Sequence, residues 1–218
     1  MNIEKLWLGF KFPDCEECKQ DCQGRLGYNN LCSNLNYLKK YGKKNYMKNK
    51  DSFIELKKIL GAQTPTIFSF GCGLGLDYVA AQEVFGNDIK YYGVDENKWA
   101  IRETSNYKNF QPKLPNTIKF EVGNFLLTGR YENLVICFFN SLFTIAKHTE
   151  LEQKLFKDLK NKTNFYIVCN YTINSTFHMQ QEEQNFLNNL IQNLKQDFQF
   201  QTIDILEGKG IIILGKKI

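Results

Sequence analysis

Short apolar runs alternate with amphipathic stretches from residue 62 to the end of the chain. Ile67 to Phe70, Tyr91 to Val94, Ile118 to Val122, Asn133 to Phe139 and Phe165 to Cys169 are bounded by polar or glycine-containing segments. Such runs read as strands buried on both faces, the pattern of a parallel sheet. Leu76 to Phe85, Leu151 to Leu159 and Glu182 to Leu194 space Leu, Ile and Phe three and four residues apart, as helices with one apolar stripe do. Phe198 to Leu206 and Ile211 to Leu214 flank Glu207-Gly208-Lys209-Gly210, a connection short enough for an antiparallel hairpin. The expectation is an α/β fold: a seven-stranded, mostly parallel sheet with helices on both faces and a C-terminal antiparallel hairpin.

Upstream of the first strand the pattern changes. Phe53, Ile54, Leu56, Ile59 and Leu60 have helical spacing, which predicts a helix over 52–60 with Asp51 or Ser52 as N-cap and Gly61 just past its end. The run from Tyr37 to Tyr46 is polar and basic with Leu38 as its only aliphatic residue, and fits a linker or a short helix. Before it, Cys15, Cys18, Cys22 and Cys32 lie among Asp, Glu, Gln, Asn and Gly. This is not core composition. The CxxC pair Cys15 and Cys18 sets two thiolates for one tetrahedral metal, and Cys22 and Cys32 complete a four-sulfur site, so structural zinc leads, with an iron-sulfur cluster, free thiols or disulfides as the other readings. The domain expectation is a Cys-rich basic segment over 1–50 and one α/β domain over 51–218.

Charge sharpens the contrast between the two parts. Residues 1–60 hold twelve Lys and Arg against seven Asp and Glu, whereas residues 61–218 balance at sixteen each. Lys39, Lys40, Lys43, Lys44, Lys48 and Lys50 interleave with Tyr37, Tyr41 and Tyr46. That mixture suits a nucleic-acid or protein contact, and equally a solvated helix face. The apolar runs are far shorter than the ~20 residues of a membrane span, and Met1 to Phe10 lacks the features of a secretory signal. These observations predict a cytoplasmic protein with no membrane contact.

The chemistry concentrates at Gly71, Gly73 and Gly75, which follow the first strand immediately. Alternate glycines let the backbone turn through positive φ and let a ligand approach without meeting a Cβ. The second strand ends in Asp95, at the spacing where an acid accepts hydrogen bonds from ribose hydroxyls. Asp95 as the N-cap of a helix over 98–105 is the bland alternative. His148 and His178 are isolated, and Cys72, Cys137 and Cys169 lie in or beside predicted strands as small core residues.

Strand, glycine triplet, acid and closing hairpin together resemble the class I S-adenosylmethionine-dependent methyltransferases, over residues 62–218. The resemblance implies a Rossmann-like fold and S-adenosylmethionine as cofactor. It also implies a donor site at Ser69, Gly71, Gly73, Gly75, Asp77 and Asp95, with Asn124 accepting from the adenine amino group and Asn140 closing the fourth-strand motif beside the methyl group. Three positions depart from the family pattern, which has acids where this chain has Ser69, Asn124 and Asn133. Asn124 keeps a carbonyl acceptor, and Asp77 is the candidate replacement for the carboxylate missing at Ser69.

Methyl transfer needs positioning more than a particular side chain. Candidates for meeting an acceptor stand at strand ends: Asn140 and Tyr171 as catalytic residues, with Ser141 and Asn170 beside them. Phe139-Asn140-Ser141-Leu142 occupies the place of the Asp-Pro-Pro-Tyr signature tied to adenine or glutamine amino methylation, which argues against those acceptors. The acceptor class stays open among a small molecule, RNA and protein. The competing functions are a noncatalytic methyltransferase-like module docking through its Cys-rich segment, and a nicotinamide or flavin enzyme. The latter is disfavoured by Leu76, where GxGxxG requires Gly or Ala.

Overall fold

A computed structural model describes residues 30–95, 131–139, 141, 142, 146, 149–170, 177–205 and 210–218. The described elements run α1 (Leu31–Tyr37), a π-helical turn (Leu38–Gly42), α2 (Lys43–Leu60), β1 (Thr66–Phe70), α3 (Leu76–Phe85), β2 (Lys90–Val94) and β3 (Leu134–Phe139). Then follow α4 (Thr149–Leu159), β4 (Asn164–Asn170), α5 (Phe177–Leu194), β5 (Phe198–Ile205) and β6 (Gly210–Lys217).

Six strands form one mixed sheet in the order β2-β1-β3-β4-β6-β5. The expected strand over 118–122, which would make seven, lies outside the described residues. β1 pairs in parallel with both β2 and β3, and β3 with β4. β6 enters antiparallel between β4 and β5, as the closing hairpin requires. The chain leaves β1 toward β2 and returns to β3 on β1's other side, so the order reverses about β1. In open sheets, ligands lodge at such a switch, outside the carboxyl ends of the strands.

Every residue of β1 and β3 is buried, because helices cover both faces. Strand alternation divides the core. Val135, Cys137 and Phe139 join Tyr46, Phe53, Leu56 and Val79 from α2 and α3 on one face. Leu134, Ile136 and Phe138 join Leu155, Leu159, Phe186, Leu190 and Leu194 from α4 and α5 on the other.

The leading helix is longer than its apolar spacing predicts. Instead of beginning at Ser52, α2 begins at Lys43, continues α1 through the π turn, and runs across residue 50 without a break. Asn30 caps α1, its side chain accepting from the backbone N–H groups of Cys32 and Ser33 at 2.8 and 3.2 Å. Gly61 ends α2 with φ 63°, as expected. The buried stripe of α2 begins with Tyr46, Lys48, Asn49 and Ser52, none of which an apolar pattern registers. Ser52 is no N-cap: the single hydrogen of its Oγ is shared between two acceptors, the Lys48 carbonyl at 2.9 Å and Asn170 Oδ1 at 2.7 Å. Phe53 anchors the helix, edge-on to Phe139 at 5.2 Å and to Phe85 at 5.9 Å. Its ring is fully buried, a contribution of about 2 kcal/mol or more from area alone.

Candidate functional site

The site begins where β1 runs out. Gly71, Gly73 and Gly75 all take positive φ, at 66°, 51° and 69°, and the loop is fastened to its neighbours by backbone bonds. Gly71 and Cys72 N–H both donate to the Val94 carbonyl, at 2.7 and 3.1 Å. Gly71 is required twice over: its φ disfavours any side chain, and an added Cβ would lie 2.5 Å from the Ser141 Cβ. Ser141 itself donates to the Phe70 carbonyl at 2.5 Å, so it pins the strand end rather than facing outward. Asp95, at the end of β2, accepts from the Gly73 N–H at 2.7 Å. Its carboxylate is 5% exposed, and it binds the second strand's end to the middle of the loop.

A pocket opens between this loop and the helices above it. It is lined by Tyr37 from α1, Asn45 and Asn49 from α2, Phe139 from β3, and Ser69, Gly71, Gly73, Leu76 and Asp77 from β1, the loop and the start of α3. Asp77, on the first turn of α3, is 3% exposed and accepts from the Tyr91 hydroxyl at 2.7 Å. Burial pushes its carboxyl up from the ordinary value, against the downward pull of nearby hydroxyls and of backbone N–H groups at the start of α3. Ser69 Oγ lies beside Asp77 and Tyr91 and pulls both groups downward, yet this buried hydroxyl makes no hydrogen bond of good geometry. Burial, and then the Asp77 carboxylate, hold the Tyr91 phenol well above its ordinary value. Tyr91 is therefore the donor of this pair and Asp77 the acceptor.

The residues fit a ligand whose cationic end reaches Asp77 and Ser69. The carboxylate would accept from an ammonium, and the same ammonium would supply the hydrogen bond that Ser69 Oγ lacks. The glycine backbone offers the close approach that such a ligand needs. Asp95 stands at the end of β2, where its carboxylate accepts from the Gly73 N–H, and it is not among the described residues that line this pocket.

Several expected site residues lie elsewhere or outside the description. Asn124, Asn140, Tyr171 and His148 fall outside the described residues. Asn170 does not face an acceptor: it is fully buried, takes the Ser52 hydroxyl on Oδ1 and donates from Nδ2 to Asn49 Oδ1 at 3.1 Å. Its amide ties β4 to the helix that walls the pocket. Asn133 has φ 51°, a conformation that Asn tolerates better than most side chains, and its carbonyl accepts from Thr66 N–H at 3.1 Å. A turn, not a ligand, explains Asn at that position. Cys72, Cys137 and Cys169 are buried and outside any disulfide, and burial pushes Cys137 and Cys169 well above the ordinary thiol value, which removes those two as nucleophiles.

The four-cysteine metal site finds no support among the described residues. No group of three or more His, Cys, Asp or Glu side chains there is arranged to hold a metal ion. Cys15, Cys18 and Cys22 fall outside the described residues, which hold only the fourth expected ligand, Cys32. No helix among the described residues is long and apolar enough to cross a membrane.

Tyr37, Asn45, Asn49 and Tyr91 are pocket or pocket-supporting residues that sequence reasoning does not assign to a donor site. For Tyr91 a signal exists, because it shares a strand face with residues packed under α3. For the other three there is none, since their place depends on how α1 and α2 cross the sheet's end.

No protein-family model matches this chain, and no curated protein matches it in sequence. Solved structures match it in shape. An S-adenosylmethionine-dependent methyltransferase from Aquifex aeolicus superposes with a TM-score of 0.52 at 15% identity, over 75% of this chain and 88% of its own. One from Clostridium acetobutylicum ATCC 824 gives 0.51 at 14% identity, over 83% and 96%. The mitomycin 7-O-methyltransferase MmcR gives 0.53 at 9% identity, over 99% and 67%. At such identities the likeness speaks for fold, and the strand order, the terminal hairpin and the glycine loop after β1 agree with it: this chain has the Rossmann-like fold of the S-adenosylmethionine-dependent methyltransferases.

Proposed function

We propose that this chain is an S-adenosylmethionine-dependent methyltransferase that binds its donor across the Gly71–Gly75 loop. The observation that carries the reading is the pairing of Asp77 with the unpartnered hydroxyl of Ser69 at the floor of the pocket. The family's carboxylate is missing from β1, yet a carboxylate returns to the same corner from α3. Asp77 accepts from the donor's ammonium, and Ser69 Oγ takes a second of its protons. Asp95 holds the ribose while keeping the loop closed through Gly73, and Asn124 accepts from the adenine amino group.

When bound, the donor supplies a methyl group on a sulfonium, lost to an acceptor lone pair in one in-line displacement that leaves a neutral thioether. The chain's own part is positioning and the exclusion of water. Tyr37, Asn45 and Phe139 wall the pocket, and Asn140 and Tyr171 are the side chains assigned to the acceptor. Titration calorimetry with S-adenosylhomocysteine tests the reading on the full chain. Saturable one-to-one binding is expected, and an absence of heat up to millimolar ligand would sink it.

A further inference from the structure

The pocket's outer wall carries charge that the donor site does not use. Residues 30–50 contain six lysines and no Asp or Glu. Lys48 is buried and Lys50 pairs with Glu83 at 2.9 Å, but Lys39, Lys40, Lys43 and Lys44 are exposed. These four occupy the π turn and the first turn of α2, between the two wall residues Tyr37 and Asn45. Like charges one turn apart oppose helix formation, and a polyanion bound along the cluster would relieve that repulsion.

The aromatic rings give that cluster a direction. Lys40 Nζ lies 5.1 Å from the centre of the Tyr41 ring, and Tyr41 is 5.5 Å from Tyr37. Tyr37 in turn lines the pocket and is held in place by Asn45 Nδ2, which donates to its hydroxyl at 2.9 Å. Cation, ring and ring thus form a track that ends at the pocket.

We propose that this track binds a single-stranded polynucleotide and sets one of its bases at the pocket mouth. The proposal rests on the methyl-donor reading for the pocket's role and adds the class of acceptor. Lysines neutralise phosphates, and each base carries a π-face that stacks on a tyrosine whatever its sequence. An acidic protein would use the lysines but not the rings. A duplex is disfavoured because a stacked, paired base does not reach a site floored by buried side chains without being extruded.

The test is fluorescence anisotropy of the full chain with labelled single-stranded RNA, single-stranded DNA and duplex of equal length, from 50 to 200 mM salt. Single strands are expected to bind more tightly than duplex, with log K falling linearly with log salt, and the tighter of the two single strands names the sugar. Changing Lys39, Lys43 and Lys44 together to Ala should flatten that slope by about 2, at roughly 0.7 per phosphate contact, with S-adenosylhomocysteine affinity unchanged. Tyr41→Ala should weaken binding on the order of tenfold with the slope kept. Equal competition by polyglutamate, a slope untouched by the lysine changes, or no binding of either strand would overturn the proposal. Strand binding without any S-adenosylhomocysteine binding would instead sink the donor reading and leave this surface standing.

Discussion

The Tyr91 hydroxyl donates to Asp77 Oδ2 at 2.7 Å, so the pocket's carboxylate is carried by a helix and oriented by the neighbouring strand. Asp77 is charged at a cost, because burial raises its carboxyl above the ordinary value. The sign follows from linkage. A carboxyl whose pKa is higher folded than unfolded favours folding while it is protonated. That advantage is lost as pH rises from the unfolded value through the raised folded one. Asp77→Asn keeps an acceptor for Tyr91 and removes the charge. The variant is expected to melt at or above the wild-type temperature at pH 8, with the difference shrinking as pH falls toward 4. Thermal melts of both proteins across that range check it; a variant less stable at pH 8 would show that the carboxylate is stabilised by a partner.

Gly71→Ala should damage the loop directly. The added methyl meets Ser141 at 2.5 Å on a backbone already at φ 66°, and left-handed strain alone costs about 1–2 kcal/mol. Loss of at least that much in urea unfolding is expected, with weakened S-adenosylhomocysteine binding. Ser141→Gly in the same chain relieves the clash but not the strain, so it should recover only part of the loss.

How much of this was legible depends on where each residue's signal resides. The glycine loop and its flanking strand were legible because the signal is local: side chains disappear where the backbone must turn. The sheet was legible because strands buried on both faces are nearly continuous apolar runs, as in Leu134–Phe139. The start of α2 was not, since its buried stripe there consists of Tyr46, Lys48, Asn49 and Ser52, whose burial depends on partners distant in sequence. Asn170 shows the same limit from the other side. Its place at a strand end was readable, but its side chain turns to Asn49 and Ser52, 121 and 118 residues away.

Asn170→Ala therefore separates a structural role from an acceptor contact. The substitution strips Asn49 Oδ1 of a buried donor, which costs about 1–3 kcal/mol. A lower urea midpoint is expected, together with some loss of donor affinity, because Asn49 lines the pocket. Unchanged stability would mean that the amide network contributes nothing and would return Asn170 to the acceptor side.

Asp77 and Asp95 should divide the donor between them, and the division is measurable with two ligands. S-adenosylhomocysteine carries both an ammonium and a ribose, whereas 5′-methylthioadenosine keeps the ribose and base but has no amino-acid end. Loss of a charged hydrogen bond costs ~1.5–3 kcal/mol, about tenfold or more in affinity. Asp77→Asn is expected to weaken S-adenosylhomocysteine by that factor and leave 5′-methylthioadenosine unchanged. Asp95→Ala should weaken both, because it removes the ribose acceptor and releases the Gly73 N–H bond at 2.7 Å. Asp95→Asn should fall between wild type and Asp95→Ala, since its side-chain carbonyl still accepts from Gly73. If Asp77→Asn lowered the affinity of both ligands equally, the carboxylate would be shaping the pocket as a whole rather than receiving the ammonium, and Ser69 would need another ligand group to account for its buried hydroxyl.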